Sequence, residues 1–142
     1  DLDHLSPIEA LETLVEFTFR HHSRHPDFIR LIMIENIHHG EYLKHSDTIK
    51  ALNTPAINRV ETIYERGLEA GYFREGISAL ELHWYISALS FFNVSNKASF
   101  SLLFGDSLNS EEGQKRLTSN IKEMILRFIL KPEHTCKYIG VG

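Results

Sequence analysis

Apolar residues recur along this chain at spacings of three and four, the period of a helix with one buried face. No hairpin dipeptide flanked by alternating apolar residues occurs, so the pattern predicts an all-α protein. The first segment is announced by "SPIE": Ser6 is a natural N-cap, Pro7 suits the first helical position, and Glu9 completes a capping box. It runs to about His22, with Ile8, Leu11, Val15, Phe19 and, less centrally, Leu14 on one face. Pro26 opens a second segment and Gly40 closes it. Between them Phe28, Ile29, Leu31, Ile32, Met33, Ile34 and Ile37 leave no broad polar face, which predicts a central helix wrapped by others.

"SDTIKALNT" reads as a short helical turn that Pro55 ends or kinks, with Thr54 as cap for a restart. From Ala56 to Gly71 the chain is amphipathic, with Ile57, Val60, Ile63, Tyr64, Gly67 and Leu68 on one side. A second capping box, "SALE", with Ser78 and Glu81, opens a helix to about Val94. That helix has two apolar faces, one with Leu80, Trp84, Ala88 and Phe91 and the other with Leu82, Tyr85, Ile86, Leu89 and Phe92. A chain of this size readily covers one such face, so the pattern calls for a second subunit. "NKASFSLLFG" reads as a short helix or connection and "DSLNSEEGQ" as a polar cap region. The last helix, about Gln114 to Lys131, again carries more apolar surface than one neighbour covers: Leu117, Ile121, Met124, Ile125 and Phe128 on one face, Leu126, Ile129 and Leu130 on the other. Residues 1–131 thus form one domain, and 132–142 read as a flexible tail.

Composition narrows the function classes. A chain of 142 residues is long enough for one core without staples, and 42% hydrophobic against 24% charged residues is a globular balance. The single cysteine, Cys136, allows no internal disulfide and no thiolate zinc site, which points to a reducing compartment. No apolar run reaches membrane-span length and the start lacks a signal-peptide layout, so the expected location is cytoplasmic, with no membrane partner. The formal charge is −4 and the 15 basic residues are scattered, which argues against nucleic-acid binding by this stretch itself. The first residue is Asp1 rather than Met, as in a piece of a longer protein.

The order of elements carries a resemblance. A capped helix, "HPDFIRLIMIENI", the segment closing as "IYERGLEAGYFRE", a two-faced aromatic helix and a final apolar helix are together similar to the C-terminal regulatory domain of tetracycline-repressor-like (TetR) bacterial transcription regulators. "ERGLEAGYFREGISALELHWYISAL" is the most specific piece, supported by "FFNVSNKASFSLLFG". The resemblance, over about residues 7 to 130, implies an all-helical bundle that dimerises through its last two long helices into an intermolecular four-helix bundle. It also implies a pocket among the earlier helices for a small, largely apolar effector, whose occupancy is transmitted to an N-terminal helix-turn-helix. That headpiece is absent here, so DNA enters only through residues outside this chain.

Candidate chemistry centres on "IENIHHG". On a helix Glu35 meets His38 and His39 at i+3 and i+4, a chelating geometry, and a helical-bundle metalloprotein using these three, with His83 or His22 added by the fold, is the alternative reading. One Glu-x-x-His supplies too few ligands for a di-metal site, so no metal and no cofactor is expected. A solvated helix end, with His38 on the surface, is the plainest account. A third places Glu35 and His39, on one face with Phe28 and Ile32, in an apolar pocket with Tyr64, Tyr85 and Asn93. Trp84 and Phe91, with Ile121, Ile125 and Phe128 of the last helix, are assigned to the dimer interface. Which face of the 79–94 helix meets the pocket stays open. No nucleophile elbow, phosphate-cradling loop or paired-carboxylate site is present, so no enzyme is expected.

Overall fold

The computed structural model describes residues 1–139, apart from the side chains of 49, 50 and 52–54. Among the described residues there are seven α-helices and no strand: α1 Pro7–Arg24, α2 Pro26–Ile37, α3 Asp47–Glu69, α4 Ala79–Ser95, α5 Lys97–Phe104, α6 Glu111–Ile129 and α7 Pro132–Ile139. Single 3-10 turns precede α3 (Leu43–His45) and α6 (Ser107–Asn109).

Both expected capping boxes form. The Ser6 and Ser78 hydroxyls accept from the backbone N–H of Glu9 and Glu81, whose carboxylates accept in return from the cap residues' own N–H groups. Each reciprocal pair satisfies two N–H groups that a bare helix start would leave unpaired. α6 begins earlier than the pattern suggests, because Ser110 caps it through Gly113 N–H.

α1 is the hub and packs against α3, α4 and α6. Its stripe of Ile8, Leu11, Leu14, Val15 and Phe19 is buried against Val60 and Ile63 of α3, Leu82 and Ile86 of α4, and Ile121, Ile125 and Ile129 of α6. The α3–α4 connection closes the bundle. Arg74 N–H donates to Ile129 O at 2.8 Å, Lys131 N–H donates to Tyr72 O at 2.9 Å, and Phe73 bridges Leu130 between them. Phe73 is fully buried beneath α3, where only a glycine at position 67 leaves room for its ring.

Three expectations differ from what the fold shows. α2 is not wrapped: Ile29 alone is buried, while Phe28, Leu31, Ile34 and Ile37 are exposed. It lies on the outside of α4 and α1, so an all-round apolar sequence meets neighbours on one side only. α3 runs unbroken through Pro55, and the cap expected of Thr54 lies outside the described side chains. The tail continues as α7, begun by Pro132 at a position that suits it, and the Tyr72 ring packs edge-on against Tyr138 and His134.

Candidate functional site

The end of α1, the start of α2, the middle of α3 and the first half of α4 line a chamber of about 310 Å³ that is open to solvent on the side of Phe17, Phe28 and Arg59. α1 supplies Leu14, Phe17, Thr18, His21 and His22, α2 supplies Phe28, α3 supplies Ala56, Arg59 and Val60, and α4 supplies His83, Ile86 and Ser87. On both α1 and α4 the helical repeat turns a polar group onto the same flank as core residues. His22 follows Phe19 by three positions and His83 precedes Ile86 by three.

The electrostatics of this chamber set it apart from the other hollows. His22 Nδ1 is buried and has no hydrogen-bond partner among the described residues, an uncommon and costly state for a polar atom. Burial, helped by the nearby charges that His21 and His83 would carry, holds the His22 imidazole below its ordinary value of 6.5. Burial alone lowers His83, whose Nε2 lies 3.3 Å from Ser87 Oγ. Both rings are therefore neutral at pH 7, and each presents one donor and one acceptor according to tautomer. The His22 ring meets Phe91 edge-on at 6.3 Å.

Other hollows are larger and differ in their lining. The groove of about 460 Å³ between α1 and α3 is walled by the chain's first three residues. The one of about 430 Å³ between α1 and α6 is rimmed by Glu16, Arg20 and Lys122, already joined as ion pairs. A third, of about 390 Å³ among α4, α5 and α6, is lined by Phe92, Phe100 and Met124 and borders the exposed apolar face of the chain.

Of the residues expected to line a pocket, Phe28 alone reaches the chamber. Glu35 faces the loop that follows its helix and accepts a hydrogen bond from Leu43 N–H at 3.1 Å. α2 ends at Ile37, so His38 caps it, while His39, at φ 55°, lies beyond it, exposed. The i+4 relation of Glu35 to His39 that the metal reading needs is therefore missing, and no metal-holding group of three His, Cys, Asp or Glu occurs among the described residues. Ile32 is half-buried on α2, off the chamber. Tyr64 is a strut instead: its hydroxyl donates to Arg74 O at 2.6 Å, accepts from Ile77 N–H at 3.2 Å, and its ring stacks on Phe73. Tyr85 packs edge-on against Phe128 and Trp84 on the outer face. Asn93 pairs reciprocally with Gln114, two amide hydrogen bonds of 2.9 Å that tie α4 to α6.

The residues assigned to a subunit interface divide in the same way. Trp84 is 66% exposed and Phe128 38%. Ile121 and Ile125 are buried in the chain's own core and leave nothing for a second copy to cover, while Met124, one step round the helix from Ile125, is exposed. Phe91 turns toward His22 rather than outward.

A model of the tetracyclin repressor-like C-terminal domain matches residues 7–125, which takes in every chamber wall and most of α6. The chain belongs to this family. The TetR-like domain is also 29% identical over 126 residues to the HTH-type transcriptional repressor NicS of Pseudomonas putida. That match covers 89% of the TetR-like domain and 59% of the repressor, so the chain spans little more than half the length of that relative. The all-α bundle agrees with this membership, and no helix among the described residues is long and apolar enough to cross a membrane. Arg59 and Ser87 are not singled out by the sequence pattern, and His22 and His83 enter there only as ligands that the fold could add to the metal reading. The available signal was a histidine at core spacing on each of two amphipathic helices.

Proposed function

We propose that this chain is the effector-sensing and dimerising part of a cytoplasmic TetR-like transcription regulator, without enzymatic activity. In this reading the α1–α4 chamber binds a small molecule. Occupancy favours one arrangement of the four helices, and that preference is passed to a helix-turn-helix outside this chain, as the name of the repressor relative suggests. The observation that carries the reading is the buried, unpartnered His22 Nδ1 in a chamber at the junction of four helices.

The second copy sits, in this reading, on the outer face of α4 and α6, where Leu80, Trp84, Phe92, Met124 and Phe128 are exposed. An apolar surface of this kind is uncommon on a monomer, and large aromatics commonly anchor interfaces. Sedimentation at micromolar concentration tests it: a dimer is expected, with Trp84→Glu converting it to a folded monomer, since Trp84 packs against little in its own chain. A parent chain that sediments as a monomer would sink this assignment. Screening effectors by thermal stabilisation tests the chamber, because a ligand at 100 times its dissociation constant adds about 2.7 kcal/mol. Stabilisation that survives in Ala56→Phe and Ser87→Phe, which fill the chamber, would place the ligand elsewhere.

A further inference from the structure

The chamber's described lining holds a cation and histidines but no carboxylate. The chain carries 19 carboxylate residues, and none of them lines the chamber. Among the described residues its titratable and charged groups are His21 and His22 from α1, Arg59 from α3 and His83 from α4, with none from α2. Arg59, largely exposed at the rim it shares with the α1–α3 groove, has no carboxylate ion-pair partner among the described residues, as also holds for Arg24, Arg30, Arg66 and Arg74. Leu14, Phe17, Phe28, Val60 and Ile86 supply the apolar part of the lining, Phe17 and Phe28 from its exposed side. The volume, at the small end of the roughly 300–1,000 Å³ usual for ligand sites, suits a compact molecule.

We infer, resting on the reading of this chamber as the effector site, that the effector is a small carboxylic acid with a compact apolar body. Its carboxylate is held between Arg59 at the rim and the His22–His83 pair inside, and one proton from solvent is taken up on binding. The physical requirement is simple. A carboxylate that leaves water must find charge-assisted donors, and a guanidinium supplies a planar pair of them. A neutral imidazole that accepts a proton gains a second N–H, and an anion held in the chamber stabilises the resulting imidazolium by its charge, without having to touch the buried Nδ1. An amide of the same shape brings no charge to hold that proton and leaves Arg59 without a counter-ion.

Isothermal titration calorimetry on the chain, with three acids and their amides as probes, tests the inference: benzoate and benzamide, phenylacetate and phenylacetamide, hexanoate and hexanamide. At least one acid should bind about tenfold or more tighter than its amide, and Arg59→Gln should remove the difference. Acid affinity should rise as pH falls from about 8 to about 6, by up to about tenfold per unit where His22 takes up the proton, while amide affinity stays flat. Repeating the titration in two buffers of different ionisation enthalpy counts the proton without any variant, and His22→Gln should abolish the uptake. Amides binding as well as acids, acid binding without proton uptake, or no acid binding at all would each overturn the inference, and amide binding would still leave the chamber as the effector site. If instead Ala56→Phe and Ser87→Phe leave acid binding untouched, the chamber reading fails as well.

Discussion

Replacing Gly67 by alanine tests how the α3–α4 connection is held. A Cβ built there lies 1.9 Å from Phe73 Cδ2, 2.1 Å from Cε2 and 2.5 Å from Cγ, so one methyl meets the face of a ring rather than a movable tip. Restoring an ordinary 3.4 Å contact requires the ring to move by about 1.5 Å, the difference between 3.4 and 1.9. Phe73 is 0% exposed, and its neighbours are Tyr64, itself fixed by two hydrogen bonds, and the backbone of Leu130, so nothing yields cheaply. Overpacking of this kind costs about 3 kcal/mol or somewhat more, offset by about 1 kcal/mol from alanine's better helix propensity. The net loss is about 2 kcal/mol, or roughly 4–8 °C in Tm for a domain of this length. Urea unfolding followed by circular dichroism measures it. A Gly67→Ala chain at or above the parent's stability would show that Phe73 is not packed as described. The double variant with Phe73→Leu gives a sharper check: leucine should cost stability in the parent yet recover part of it beside the methyl added at position 67, a coupling of opposite sign to simple additivity.

Three further outcomes follow from the same packing. Ser78→Ala should cost about 1 kcal/mol in the same unfolding assay through loss of the α4 cap, and Ser78→Asp should restore most of it. Asn93→Ala leaves Gln114 Oε1 without its donor while Nε2 keeps Leu108 O, and a loss of about 1–2 kcal/mol is expected, with a change under about 0.3 kcal/mol showing that water replaces the pair. The ligand-free chain should lose stability as pH falls through 6.5, the ordinary histidine value. His22 and His83 are held below it by burial, so the unfolded chain binds more protons there, and stability is full only above that range. A denaturation series across about pH 8 to 5.5 that shows rising stability on acidification would refute this, and His22→Gln should flatten part of the slope.

Local chemistry made the helices legible. Ser6 with Glu9 and Ser78 with Glu81 name two helix starts within four residues each, and those starts are where the structure has them. The apolar stripe of α1 likewise needs only its own periodicity. What periodicity cannot supply is which neighbour covers which face. In α6, Ile125 and Met124 are adjacent in sequence, and only the position of α1 decides that one is core and the other surface. The same holds for α2, whose run of isoleucines and leucines looks central until the fold leaves it on the outside. The chamber is harder still. His22 and His83 lie 61 positions apart and meet only because α1 and α4 pack side by side, whereas Glu35, His38 and His39 drew notice by being neighbours and are separated by the end of their helix.

Arg66 lies two turns along α3 from Arg59, and its guanidinium donates to the carbonyls of Leu2, Asp3 and Leu5. The helix that forms one wall of the chamber thus also grips the segment leading into α1. In the proposed reading, a shift of α3 at Val60 would not need to be relayed through the packed interior to be felt at Leu2: it would travel along the helix itself to the three carbonyls that Arg66 holds, as a push on one end of a lever moves whatever is tied to the other.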